Sequence, residues 1–348
     1  MKTVYLILAF VIVVCCSACN TGEYKPEDRS GFAELQEVSI HKFILDSELN
    51  NLDLEISGLA WYKDYLVILP QFPFKFGNGL YGTLFLIEKD DLYVQIRNGF
   101  NSPLPYKKIS LETYGSEQFN TTGSGYEGIT FVGDDVYFVI ESRSVNETCG
   151  YLVKGEVDWD NNKIIINDKS IQKNIADHPL DNTSDESVTS FNDQIITIYE
   201  ANGIWVNENP CMNVFSRDLK QRHKISMPHI EYRITDATRV SADSTFWVIN
   251  YMWKGDMDLL KPDKDVLFED YGVGKSQKNS LSVERLVKLK FLGDEIEFVP
   301  VPPVYIEIPK GVKSRNWEGI VEMDDAGFIM ATDKHPGNLL AFVPFHED

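Results

Sequence analysis

The chain has 348 residues, 43% hydrophobic and 12% aromatic, with a net charge of −20 at pH 7 and a pI near 4.7. That length and apolar content allow a large core, in one big β domain or two ordinary domains. The charge argues against a nucleic-acid partner, which needs a basic face, and is compatible with an exported protein, with cation binding, or simply with a well-solvated surface.

Met1-Lys2 is a short basic start, and Val4 to Val14 is an apolar run of signal-peptide length, too short to span a bilayer comfortably. It ends in Cys16-Ser-Ala-Cys19, small residues directly before a cysteine. This resembles a bacterial lipoprotein signal, with Cys16 where Leu is usual. The resemblance implies a lipidated Cys19 and a cell-envelope location, periplasmic or surface-exposed, touching the membrane only through its lipid. An ordinary cleaved signal peptide is the alternative. Residues 20–35 are polar and broken by Pro and Gly, as a tether would be. The expected organisation is therefore signal (1–19), tether (20–35) and one folded domain (36–348).

The next organised stretch is a repeated hairpin. In Tyr126-Glu-Gly-Ile-Thr-Phe-Val-Gly-Asp-Asp-Val-Tyr-Phe-Val-Ile-Glu141, two apolar strands flank a Gly-Asp-Asp turn, with Glu127 and Glu141 at the same end. Copies begin at Ser57, Glu186, Asp236 and Glu318. An Asp falls seven positions on in every copy (Asp64, Asp134, Asp193, Asp243, Asp325), as a tight turn favours. Fourteen positions on stands Gln71, Glu141, Glu200, Asn250 or Thr332, polar each time. A third apolar strand follows each hairpin (Leu84 to Ile87, Tyr151 to Lys154, Asn213 to Ser216, Leu286 to Leu289, Leu339 to Val343). Candidate fourth strands are Lys163 to Asn167, Arg222 to Ser226 and Ile296 to Val301. No amphipathic helical segment of useful length stands out.

The pattern predicts an all-β fold, a β-propeller of five blades of four antiparallel strands. Leu35 to Leu45 alternates like a strand and is expected to close the last blade. Six blades is the alternative, with the extra blade in residues 72–125 or 251–310. A monomer is expected.

The first strand of each propeller blade lines the central channel, so Ser57, Glu127, Glu186, Asp236 and Glu318 are expected to converge at one mouth. Unpaired carboxylates this close would repel and take up protons. A bound cation resolves the conflict, and all-oxygen ligands point to Ca²⁺ rather than Mg²⁺. The bland reading is that each acid caps a strand or meets water. Glu141, Glu200 and Asp333 are candidate bases on the same mouth. Arg143, Lys334, Lys254, Gln71 and Asn250 are candidate substrate contacts, Arg143 and Lys334 suiting an anionic ester. The long loops gathered on this face (72–81 and 251–282) suit function. Cys149 and Cys211, the two cysteines beyond the signal, occupy equivalent loops of neighbouring blades, where a disulfide is an open option. No Gly-x-Ser-x-Gly nucleophile motif is present.

The order Ser57-Gly-Leu, Glu127-Gly-Ile, Glu186-Ser, Asp236-Ala, Glu318-Gly-Ile resembles the esterase-like domain of phytase and the SdiA-regulated family, above all in Asn316-Trp-Glu-Gly-Ile. It is more distantly similar to soluble calcium-activated apyrase, without that family's Asp-Asp-Arg-Thr-Gly stretch, since Gln71-Phe-Pro-Phe stands there. The resemblance implies a calcium-binding propeller acting on phosphate or related esters. The alternative is a binding module for a glycan or protein, in which Ca²⁺ only holds the blades together.

Overall fold

The computed structural model describes residues 26–77, 81–120, 123–143, 148–174, 180 and 183–345. Cys19 and the expected signal lie outside them. Each copy of the repeat forms an antiparallel meander, here called a blade. Blade one comprises Ile56–Tyr62, Tyr65–Pro70, Gly82–Glu88 and Lys107–Tyr114. Blade two comprises Ser124–Val132, Asp135–Arg143, Thr148–Asp158 and Lys163–Asn174. Blade three comprises Asp185–Phe191, Gln194–Tyr199, Cys211–Ser216 and Arg222–Ser226. Blade four has Arg233–Ala237, Thr245–Met252 and Val283–Phe291, edged by Ile296–Phe298 and Val304–Ile306. Blade five has Trp317–Met323, Gly327–Thr332 and Leu340–Pro344.

The repeated Asp stands in each hairpin turn, at or next to a residue of positive φ (Lys63, Gly133, Asn192 with Asp193, Ser244, Asp324). Two-residue hairpin loops match the strand twist when their central residues take positive φ, which Asn, Asp and Gly tolerate best. Asn192 and Asp193 do so at 48° and 61°, and Gly133 at 63°. The second and third strands are buried on both faces, so they read as unbroken apolar runs such as Val136–Ile140.

Those two faces pack against the two neighbouring blades. One apolar cluster fills each gap: Ala60 and Leu84 with Ile129 and Phe138 between blades one and two, and Val139 and Leu152 with Val188 and Phe215 between two and three. Ile196 and Val214 with Ile234 and Val287 lie between three and four, and Trp247 and Ile249 with Trp317 and Phe328 between four and five. Val321 and Ile329 with Leu59 and Phe85 complete the circuit from five to one. The first strands neighbour each other in the same closed order. The fold is a β-propeller.

The N-terminal segment closes the ring, as its alternation predicts. His41–Lys42 pairs antiparallel with Ala341–Phe342 as the outer strand of blade five. Just before it, Glu37–Val38 runs parallel to Val304–Ile306 on the edge of blade four. Blades one and two are also joined edge to edge, Lys163 to Asn167 lying parallel to Ser110 to Tyr114.

One expectation is corrected. Lys89–Asn98, in a chain where no helical segment of useful length stands out from the sequence, is an α-helix between the third and fourth strands of blade one. Asp90 and Asp91 in its first turn and Arg97 in its last complement the helix dipole, and Gly99 ends it at φ 85°. It buries only Leu92 and Gln95, too narrow a stripe to show as periodicity. This helix fills the first long interval, and Met257–Leu260 and Val266–Tyr271 occupy the second. Cys149 and Cys211 stand on the third strands of blades two and three, at the starts of those strands rather than in loops.

Candidate functional site

Each inner strand breaks register with its neighbour at its opening. The extra residue is Ser57, Glu127, Glu186 and Glu318 in blades one, two, three and five, and the pair Thr235–Asp236 in blade four. A β-bulge leaves one residue unpaired and re-aims its side chain. Four of these bulged side chains, Ser57, Glu127, Glu186 and Glu318, line one cavity of about 860 Å³ at the channel mouth. That volume suits a small-molecule ligand.

Blade four departs from the sequence register. Ser57 Oγ donates to the Tyr126 carbonyl at 2.5 Å, the residue before Glu127. Thr235 Oγ1 donates to the Trp317 carbonyl at 2.6 Å, the residue before Glu318. Thr235 therefore occupies the place that the repeat assigns to Asp236. Asp236 does not line the cavity. Its buried carboxylate accepts from the Ala237 and Ile320 amides, both at 2.8 Å, tying blade four to blade five. Burial pushes its pKa well above the usual carboxylate range.

The acids on the cavity floor have distinct partners. Gln71 Nε2 donates to both oxygens of Glu127 at 3.2 Å. Asn316 Nδ2 donates to Glu318 at 2.5 Å. Burial raises the pKa of Glu186 well above its ordinary value, and Glu200 and Glu318 add to the rise. Glu318 is pushed the same way by burial, then by Asp333 and Glu127. Glu186 Oε2 is buried with no hydrogen-bond partner. Both upward shifts favour the neutral form of the acid over the ionised one.

The remaining expected residues divide clearly. Glu141, Asp333, Lys334 and Gln71 line the cavity. Burial raises the pKa of half-buried Asp333. Glu200 is wholly buried behind the lining, ion-paired with Arg233, and Arg233 also reaches Asp256 at 3.0 Å. Asn250 is buried too, donating to the Glu231 and Arg233 carbonyls and accepting from Arg285. These two positions are structural supports rather than cavity contacts. Lys254 is exposed and off the lining. The Arg143 side chain lies outside the described residues. Lys334 is engaged already, its ammonium 2.6 Å from Glu55.

Sequence reasoning missed Glu55, Arg233, Tyr251, Trp253 and Asp256, all of which line the cavity. Trp253 and Asp256 open the long 251–282 loop, whose length was the available signal. Glu55 and Arg233 precede their repeat copies and carry no pattern.

The donor chemistry of Glu127, Glu186, Glu318 and Ser57 fits a hard cation. In the present arrangement no three His, Cys, Asp or Glu side chains among the described residues close on a single point.

No family model matches the chain, and no curated protein does so. Similar solved structures include the RS223 β-xylosidase, at 8% identity over 84% of this chain and 92% of that one, with a TM-score of 0.42. The RRP9 WD40 repeats align at 6% identity over 83% and 79%, with a TM-score of 0.35. The Nup133 β-propeller domain of Vanderwaltozyma polyspora aligns at 12% identity over 66% and 56%, with a TM-score of 0.30. Likenesses this distant say nothing about what the present chain binds.

Proposed function

We propose that the channel mouth is the ligand site of a propeller binding protein, and that Glu127, Glu186 and Glu318 take a hard divalent cation there. Ca²⁺ is the natural ion for a protein exported by its N-terminal signal and held at the cell envelope through Cys19. One observation carries the reading: three inner-strand bulges aim carboxylates into one cavity, where burial and mutual repulsion raise the pKa of Glu186 and Glu318. A cation offsets that repulsion and supplies the partner that Glu186 Oε2 otherwise lacks.

Binding is favoured over phosphoester hydrolysis by charge. The lining carries Glu55, Glu127, Glu141, Glu186, Asp256, Glu318 and Asp333 against Arg233, Lys313 and Lys334. Arg233 and Lys334 are already neutralised by carboxylates. A phosphate ester meets an acidic wall with few spare cations. Hydrolysis of an ester remains the second reading because Asp333, half-buried in the lining with a raised pKa, is equipped as a base.

Calorimetric titration with CaCl₂ and MgCl₂ tests the cation, with thermal unfolding in chelator alongside. Ca²⁺ at a hundredfold its Kd should stabilise the fold by about 2.7 kcal/mol, and Glu186→Gln should abolish the effect. Unchanged melting and no binding heat in millimolar Ca²⁺ would overturn it. Turnover of phytate, nucleotides or aryl esters that disappears in chelator would instead select the hydrolytic reading.

A further inference from the structure

One wall of the cavity is unlike the acidic floor. Trp253 lines it with 47% of its surface exposed, an unusual cost for a large aromatic side chain without a partner. The indole is not loose. Its six-membered ring lies flat against the backbone of Gly255: a Cβ placed on Gly255 would come within 2.0 Å of Trp253 Cζ3 and 2.4 Å of two further ring carbons. Glycine at 255 is thus what lets the ring fold back onto its own turn.

A second aromatic ring of the lining offers a contrast. Phe72 also lines the cavity, but the Lys75 ammonium covers its ring at 4.1 Å. Trp253 has no such aromatic or cationic neighbour among the described residues. Asp256, on the same turn, shares Arg233 with Glu200, lying 3.0 Å from the guanidinium. A preset flat aromatic face, a fixed ion-pair network beside it and many oxygen acceptors below call for one kind of ligand. It has an apolar face and several hydrogen-bond donors.

We propose that Trp253 is a stacking platform for a neutral saccharide ring, whose hydroxyls donate to the cavity carboxylates. The apolar C–H face of the sugar covers the indole, and donor-rich hydroxyls match a lining in which acceptors outnumber donors. An organic cation would also use an indole face, but a quaternary ammonium brings no hydrogen-bond donors to the many carboxylate acceptors of the lining. The inference rests on reading this cavity as a ligand site and not on the cation.

The test is saturation-transfer NMR on the whole protein with neutral hexoses, pentoses, N-acetylhexosamines and their disaccharides. Choline and inorganic phosphate serve as cationic and anionic controls. At least one saccharide should bind, with transfer concentrated on its ring C–H protons. Trp253→Ala should weaken it tenfold or more without lowering Tm, because the side chain is exposed. Gly255→Val, which keeps the indole but displaces it, should weaken binding similarly. Saccharide binding unaffected by both variants overturns the proposal. So does binding of choline or phosphate alone. Ca²⁺ binding with no saccharide binding overturns this inference while leaving the cation reading intact. Saccharide binding without Ca²⁺ binding does the reverse.

Discussion

Glu186 holds a position that an isolated carboxylate would leave. Its pKa is raised first by burial, then by Glu200 and Glu318, and Glu318 is raised in the same sense. An acid whose folded pKa lies above its unfolded value binds protons more tightly when folded. Metal-free protein should therefore lose stability as pH rises from the ordinary carboxylate range through the folded pKa values. Denaturant midpoints between pH 5 and 9 should fall in wild type, and Glu186→Gln should flatten the slope. A midpoint that rises with pH over that window, or a Gln variant with the wild-type slope, would refute the assignment. Arg233 works against the repulsion by pairing with Glu200. Arg233→Met leaves that fully buried carboxylate uncompensated, so a loss on the order of 3–5 kcal/mol is expected in chemical denaturation at pH 8. At this scale the sequence displays the acids but not their partners. The repeat puts Asp236 with the other openings because spacing counts residues, whereas blade four spends two residues in its bulge and brings Thr235 to the place of Ser57.

The elements explain why Glu-Gly recurs. In blades one, two and five the residue after the bulge is a glycine that passes close to the inner strand of the next blade, where there is little room for a side chain. A Cβ on Gly128 would lie 2.6 Å from the Glu186 carbonyl and 2.9 Å from Val139 Cγ2, and one on Gly319 would lie 2.8 Å from Leu59 Cγ. Gly128→Ala should therefore destabilise the fold by about 1–3 kcal/mol, more than a surface Gly→Ala change, because the strand must move off blade three. It should also disturb the Glu127–Glu186 juxtaposition, so cation binding should weaken with it. A neutral effect on both would mean that the strands yield easily and that the Gly is incidental. The blades were legible because their middle strands are buried on both faces and an Asp falls in each turn. Lys89–Asn98 was not, because two buried residues in ten make no visible stripe. Trp253 was hidden for another reason: its role depends on Gly255 two residues on, a local packing relation without periodic signature.

The whole molecule is held shut by its N-terminal segment, at two levels that can be separated. Arg29 is buried, donating to the carbonyls of Gln277, Ser280 and Ser282 and lying 4.9 Å from the Phe268 ring centre, so it pins the start of the chain to the blade-four insertion. Glu34–Leu35 then pairs with Val273–Gly274, Glu37–Val38 with the edge of blade four, and His41–Lys42 with blade five. Arg29→Ala removes charge-assisted hydrogen bonds without touching the blade-five pairing. It should cost on the order of 3 kcal/mol while leaving one cooperative unfolding transition. Deleting residues 26–45 removes the outer strand of blade five and Phe43 from the core between blades five and one. Leu340–Pro344 then becomes an unpaired edge. Its amides should exchange with solvent orders of magnitude faster than in Arg29→Ala, measured at matched overall stability. Equal exchange in the two variants would mean that the apolar packing between blades five and one closes the ring by itself. That packing joins the strands bearing Glu318 and Ser57, so faster exchange should be accompanied by weaker cation binding at the mouth, because the ring can gather its acids only while those two blades stay together.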